Sequence, residues 1–183
     1  VPVTDDHVDA LYRWACDPRS GFRWRFGGGT PSPSAFKEIL WGGVLCQFLV
    51  VDEYERLQGL VACYRADHAN GHAYVAVQSA SGHDSGVAAM AGTILLVDHV
   101  FRHWPFRKLY AEIPEYNANQ FTGTLRRHLK TEGCLQSYVF YDGQYWDLNI
   151  TSFDRHHWDT ELRPRFAALA GLAKPETLPQ IGM

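Results

Sequence analysis

The residues best placed by type and spacing to do chemistry lie between Val77 and Ala91. An apolar stretch, His72 to Gln78, runs into the small-polar segment Ser79 to Ser85, which opens a long apolar segment at Gly86-Val87-Ala88. Read as strand, loop and helix start, this pattern gathers free backbone N–H groups and the positive end of the helix dipole at one point, a seat for an anion such as a phosphate. A side chain at Gly86 would hold that anion off the backbone, so glycine suits the position. A glycine in a strand-to-helix turn is equally a plain connector, and this pattern alone does not separate the two. Three rival constellations are weaker. Asp84-Ser85-Gly86 looks like a serine nucleophile, but an apolar helix follows at once and there is no G-x-S-x-G elbow, which disfavours hydrolysis. His99 and His103 stand four apart without the glutamate of H-E-x-x-H, and His156-His157 lies between Asp154 and Asp159, so no metal is expected. The run Phe22-Arg23-Trp24-Arg25-Phe26 alternates aromatic and basic residues, as a single-stranded nucleic-acid platform would.

The elements that must position these residues follow from local signals. Thr4 as N-cap, Asp5 and Asp6 in the first turn, and Val8, Leu11, Tyr12 and Ala15 at helical spacing predict a first helix ended by Asp17-Pro18. Ser32-Pro33 reads as N-cap and first position of a second helix reaching about Trp41. Leu45 to Val51, Gln58 to Tyr64 and His72 to Gln78 form an antiparallel meander with turns at Asp52–Arg56 and Asn70-Gly71. A helix follows from Gly86 to about His103, nearly all apolar as far as Val97 and therefore packed on a sheet. Lys108 to Ile113 is a strand, and Asn119 to Thr131 reads as an amphipathic helix. Leu135 to Tyr141 and Gln144 to Ile150 form a hairpin across Asp142-Gly143. Beyond Asp154 the chain reads as helical to Ala173 and then Pro-rich. This order gives an α+β fold with a mixed, mostly antiparallel central sheet flanked by helices, one domain over 1–160, and a C-terminal helix and loose tail over 161–183.

Composition narrows the function classes. The 183 residues carry a formal net charge of -3, with 20% charged and 46% hydrophobic residues. Such a chain lacks the basic surface of a nucleic-acid binder, so no nucleic acid is expected as partner. No apolar run approaches the ~18 residues of a membrane span, and the opening residues do not read as a secretory leader. Cys16, Cys46, Cys63 and Cys134 are spread out without a C-x-x-C pair and read as reduced thiols. The expectation is a soluble, cytoplasmic chain with no membrane partner.

Beyond the physical signals, His83-Asp84-Ser85-Gly86-Val87-Ala88 resembles the pyrophosphate loop of the GNAT acyltransferase superfamily. The resemblance continues on both sides. "FRKLYAEIPEYNANQF" looks like the family's fifth strand and the asparagine opening its next helix. "LKTEGCLQSYVFYDGQYWDLNI" is similar to the closing strand–turn–strand of the branch that includes ribosomal-protein N-terminal acetyltransferases. Asn117 lies fifteen residues before Glu132-Gly133, as in that branch. The likeness covers roughly Asp5 to Trp158. The chain departs from the family at the loop's leading arginine, which is His83 here and is followed by Asp84. It departs again at the helix glutamate, which is Met90, and at the general-acid tyrosine, expected near Thr124.

The resemblance implies an acyl-CoA-dependent N-acyltransferase, an N-acetyltransferase moving acetyl from acetyl-CoA, or another acyl group from its CoA ester, to a primary amine within a ternary complex. CoA would be held by Val77, Gln78, His83, Ser85, Gly86, Val87, Ala88, Asn117 and Asn119, with backbone N–H groups near Val77 and Gln78 polarising the thioester carbonyl. Alternation along the third strand sets His72, Tyr74, Ala76 and Gln78 on one face. His72 is then the candidate base and Tyr138 the candidate acid, with Glu112 and Tyr116 as further candidates. Trp24, Arg25 and Tyr74 would border a small-molecule or peptide amine acceptor. A homodimer is compatible with this reading. The departures support a second one, a catalytically silent GNAT-like domain that binds acyl-CoA or another ligand.

Overall fold

The computed structural model describes residues 1–24, 27, 29–80, 85–121 and 128–166, without the side chains of 85 and 119–121. A 3-10 turn at Asp5–His7 runs into helix α1 (Val8–Ala15), and α2 spans Pro33–Trp41. Ser32 caps α2 as its sequence indicates, its Oγ accepting the Ala35 N–H at 3.3 Å. Strands β1 (Val44–Val51), β2 (Leu57–Asp67) and β3 (His72–Ser79) form the antiparallel meander. Its first turn is tied by Asp52, whose carboxylate accepts from the backbone of Tyr54 at 3.0 Å and of Arg56 at 2.9 Å. Helix α3 (Ser85–His103) leads to β4 (Lys108–Pro114). The hairpin of β5 (Lys130–Tyr141) and β6 (Gln144–Asp154) turns through Asp142 at φ 50° and Gly143 at φ 75°, both in the left-handed region a two-residue hairpin turn demands.

The six strands lie in the order β1-β2-β3-β4-β6-β5, antiparallel except for β3 against β4. Helix α3 packs on one face through Ile94, Val97 and Val100 against Val61, Ala73 and Val75. The helical segment α4 (residues 155–166) closes the same core with Trp158, Leu162 and Phe166. On the other face α1, α2 and Trp24 cover Leu49 and Leu60, so β1 and β2 are buried on both sides. Cys46 and Cys63, distant in sequence, meet as cross-strand partners, and all four cysteines are free.

One expectation changes. The amphipathic helix over Asn119 to Thr131 is replaced at both ends: Glu115–Phe121 is a 3-10 helix and β5 begins at Lys130. Pairing of Lys130 with Ser152 and Thr131 with Thr151 draws this segment into the sheet, a long-range gain that local helical spacing does not register. Residues 122–127 lie outside the described residues. So does the stretch from 167 onward, which holds the end of the expected C-terminal helix; helix is seen as far as Phe166.

Candidate active site

The only parallel pair among the described residues is short. β3 and β4 are in register from His72↔Lys108 to Tyr74↔Tyr110 and no further. Past that point each strand is held from its outer side, β3 by β2 as far as Ser79 and β4 by β6 as far as Pro114, so their facing edges diverge. The backbone N–H and C=O groups along those edges have no strand partner among the described residues.

A cavity of about 520 Å³ fills this divergence. Its lining includes Val75, Val77, Ala111 and Ile113, which point to the α3 side of the sheet, and Ala76, Glu112 and Pro114, which point to the α1/α2 side. The cavity therefore opens on both faces. Thr93, Leu129 and Phe153 extend it on the α3 side; Phe22, Arg23, Trp24, Ile39, Tyr64, Arg65 and Leu148 extend it on the other. Asn117 and Tyr138 also line it. Asn117 Oδ1 is buried with no hydrogen-bond partner among the described residues.

The polar groups on the α1/α2 side are few. Arg65, at φ 47° where β2 is irregular, brings Nη1 to 3.4 Å from Glu112 Oε1. Its guanidinium also lies 5.6 Å from the ring centres of Tyr64 and Tyr74. Phe22 stacks on Tyr141 at 4.3 Å, and Tyr116 packs on that pair at 4.8 Å from Tyr141. Burial pushes the Tyr116 phenol above the usual tyrosine range, and neighbouring Tyr141 adds to the rise.

The start of α3 is fixed by close contacts between small residues. A Cβ on Gly59 of β2 would lie 2.8 Å from the Gln78 carbonyl oxygen and 3.4 Å from Ala89 Cβ; one on Gly92 of α3 would lie 2.3 Å from Val50 Cγ2. Gly86 and Val87 are exposed, and a Cβ on Gly86 would meet nothing within 4 Å.

Of the residues singled out by sequence, Val77, Asn117, Tyr138 and Trp24 line the cavity. Trp24 is also a core ring, packed on Trp14 and Phe36 at 5.1 and 6.0 Å. Gln78 is buried next along β3, and Ala88 sits half-buried behind Gly86. Tyr74 and His72 share a face with Ala76, as alternation requires. They lie off the cavity in a ring cluster with Tyr110, at 5.4 Å from Tyr74 and 5.5 Å from His72. His83 and Arg25 lie outside the described residues, as do the side chains of Ser85 and Asn119. Sequence reasoning missed Tyr64 and Arg65, whose place depends on the irregularity of β2, and it left Glu112 and Tyr116 unranked. For Glu112, strand parity relative to Ala111 and Ile113 was the available signal.

Solved structures of N-acetyltransferases are similar to this chain in fold. The spermidine N-acetyltransferase of Vibrio cholerae in complex with CoA and spermine superposes with a TM-score of 0.72 at 14% identity, covering 87% of this chain and 96% of that one. A chimera of the same enzyme gives 0.74 at 16% identity over 87% and 96%. RimL, a ribosomal alpha-N-protein acetyltransferase in complex with coenzyme A, gives 0.66 at 16% over 84% and 91%. No protein-family model matches the chain, and no curated protein matches it significantly. No helix among the described residues is long and apolar enough to cross a membrane.

Proposed function

We propose that the chain is an acyl-CoA-dependent N-acyltransferase that moves acetyl from acetyl-CoA to a primary amine by direct attack. The observation that carries this is the cavity between β3 and β4, open to both faces of the sheet, with the unpartnered Asn117 Oδ1 on its wall. A site for direct transfer must admit two substrates from different directions and hold them together, because most of the rate then comes from orientation. A slot through a sheet does this.

The residues present fit CoA. The start of α3 at Ser85, Gly86, Val87 and Ala88, led in by His83, would take the pyrophosphate, with open space at Gly86. The pantetheine arm, which carries amide N–H donors, would run between the strands past Val77 and Asn117, near Asn119. Free N–H groups on the β3 edge around Val77 and Gln78 would polarise the thioester carbonyl. The amine would enter from the α1/α2 side, past Trp24. It forms a C–N bond at the carbonyl carbon as the C–S bond breaks, and its surplus proton passes to a base. Glu112 is the base we assign, because its carboxylate lines the cavity on the amine's side. His72, behind Tyr74, would serve only through intervening water. Tyr116, whose phenol burial pushes above the usual tyrosine range, lines the cavity and would give its proton to the departing thiolate, with Tyr138 at the cavity wall as the alternative donor.

The test is a thermal-shift or native mass-spectrometry screen against CoA and several acyl-CoAs, followed by CoA release with a panel of amines. Stabilisation and release together support the enzyme. Binding without turnover on any amine supports the silent ligand-binding domain that the His83-Asp84 departure favours. No binding of any acyl-CoA would sink both.

A further inference from the structure

We infer that Cys46 and Cys63 are a modification site, where a hydroperoxide joins the two thiols in a reversible disulfide that acts on the cavity through Tyr64 and Arg65. Only the effect on turnover rests on the acyltransferase reading. The β1–β2 ladder brings the thiols together, with Cys46 paired to Cys63. Paired residues of antiparallel strands have Cα atoms about 4.5–5.5 Å apart and side chains on one face; a disulfide needs about 4.4–6.8 Å. Both side chains lie in or against the core that α3 covers. Cys63 is fully buried, whereas Cys46 is half-buried and within reach of a small oxidant. A hydrogen bond shared with Cys63 holds the Cys46 thiol below its usual range, and the same bond, together with burial, pushes Cys63 up. Cys46 is therefore the readier nucleophile and Cys63 the thiol that resolves it.

With hydrogen peroxide the Cys46 sulfur attacks one oxygen, the O–O bond breaks, and water leaves with Cys46 as the sulfenic acid. The Cys63 sulfur then attacks the Cys46 sulfur, the S–O bond breaks, and the Cys63 proton leaves with the hydroxide as a second water. The two thiols give up two electrons and the peroxide takes them. Position couples this chemistry to the site. On its other side Cys63 pairs with Val75 of β3, and Tyr64 and Arg65 follow it directly; all three line the cavity. Both ladders slip here, β1–β2 between Val44 and Cys46 and β2–β3 between Tyr64 and Asp67. Irregular backbone takes up the movement that bonding two sulfur atoms demands, where a regular ladder would resist it. The bond therefore shifts Tyr64 and Arg65, and with Arg65 the contact that holds Glu112. The other cysteines lack this arrangement: Cys16 caps the end of α1 and Cys134 pairs with Asn149, neither with a second thiol opposite.

The experiment treats the whole protein with hydrogen peroxide and maps its peptides by mass spectrometry, with backbone amide NMR and turnover followed in both thiol states. The expected product is a Cys46–Cys63 disulfide that dithiothreitol removes. It should come with displaced amide signals for Tyr64 and Arg65 and a severalfold lower kcat. Cys46→Ala and Cys63→Ala, made separately, should each keep the parent kcat and abolish the peroxide effect. In Arg65→Gln the disulfide should still form but no longer lower kcat. Peroxide treatment that yields no bond between these two residues overturns the inference, and so does a bond that leaves the Tyr64 and Arg65 signals in place. A loss of turnover that persists in both alanine variants places the damage at another residue and overturns it as well. Turnover absent in both thiol states overturns the acyltransferase reading instead, while peptide mapping and NMR still decide the inference.

Discussion

Arg65 on β2 reaches past the intervening strand β3 to bring its Nη1 within 3.4 Å of Glu112 Oε1 on β4. Regular alternation from Tyr64 would turn residue 65 to the opposite face of the sheet. Arg65 stands at φ 47°, at the point where the β2–β3 register slips between Tyr64 and Asp67, which frees its side chain to lie along the sheet face over Tyr64 and Tyr74. The pair holds the cavity's carboxylate in place from two strands away.

If Glu112 takes the amine's proton, Glu112→Gln should lower kcat by roughly 10²–10⁴-fold, the range for loss of a general base, with a far smaller change in the affinity for CoA. His72→Ala should cost less than about tenfold, since a ring outside the cavity acts only through water. Steady-state kinetics on the two variants decide between them. A larger loss for His72→Ala would move the base along the sheet. Glu112→Gln removes a partly exposed ion pair and should melt within a few degrees of the parent protein.

The seat at α3 makes two opposite predictions for neighbouring glycines. Gly86 has open space where a side chain would go, so Gly86→Trp should leave the melting temperature unchanged and weaken CoA by tenfold or more by filling the pyrophosphate seat. Gly59 has none: an added methyl would meet the Gln78 carbonyl oxygen at 2.8 Å and press on Ala89. Gly59→Ala should therefore destabilise the fold by about 1–3 kcal/mol, the usual cost of overpacking, and loosen CoA by shifting the start of α3. Urea denaturation and CoA titration on each variant separate the two effects. Unchanged CoA affinity in Gly86→Trp would move the pyrophosphate elsewhere.

Much of the frame is written locally in the sequence. Ser32-Pro33, Asn70-Gly71 and Asp142-Gly143 each specify a cap or turn with their own backbone preferences, and the structure uses all three as such. The uninterrupted apolar run of α3 likewise announces burial on a sheet. What failed was long-range. Lys130 and Thr131 sit at the end of a helical pattern, yet pairing with β6 makes them strand, and nothing within their own neighbourhood encodes Ser152 or Thr151 as partners. The site divides in the same way. Asn117 and Val77 came from the resemblance of an ordered string of segments. The Arg65–Glu112 contact depends on a slip in register that no residue type near Tyr64 signals.

Arg155 predicts how α3 and α4 are joined. Its guanidinium donates to the carbonyl oxygens of Phe101, Trp104 and Phe106 and lies 4.9 Å from the Phe101 ring centre. These carbonyls lie at the end of α3 and just beyond it, where helix oxygens run out of partners within the helix. Lysine keeps the charge but lacks the planar fork, so it can serve few of the three oxygens at once. Arg155→Lys should cost about 2–4 kcal/mol, since each part-buried acceptor left unpaired costs about 1–3 kcal/mol. Urea unfolding at neutral pH measures it, and a loss below half a kcal/mol would show that water replaces the fork.

The far end of the β4–β6–β5 sheet predicts a pH dependence. A hydrogen bond from Lys108, at 2.8 Å, holds the Glu132 carboxyl below the usual carboxylate range, and a second from Ser152, at 2.7 Å, reinforces it. Lys108 is raised in turn, chiefly by the same hydrogen bond to Glu132. A carboxylate whose folded pKa is depressed contributes stability above its unfolded pKa of about 4.3, and loses it as pH falls through the folded value. A lysine whose folded pKa is raised contributes below its unfolded pKa of about 10.4, and loses it as pH rises through the folded value. The pair thus stabilises the sheet between those limits and fades outside them. Solvent screens it, so Glu132→Gln should lower the melting temperature by only about 1–3 °C at pH 7. The gap between the two proteins should begin to close as pH falls below about 4.3 and go on closing as it falls through the depressed folded value, where the parent carboxyl becomes neutral. Differential scanning calorimetry from pH 3 to 11 follows the window, and a gap that did not narrow at all below about pH 4 would mean that Glu132 acts by packing and not by charge.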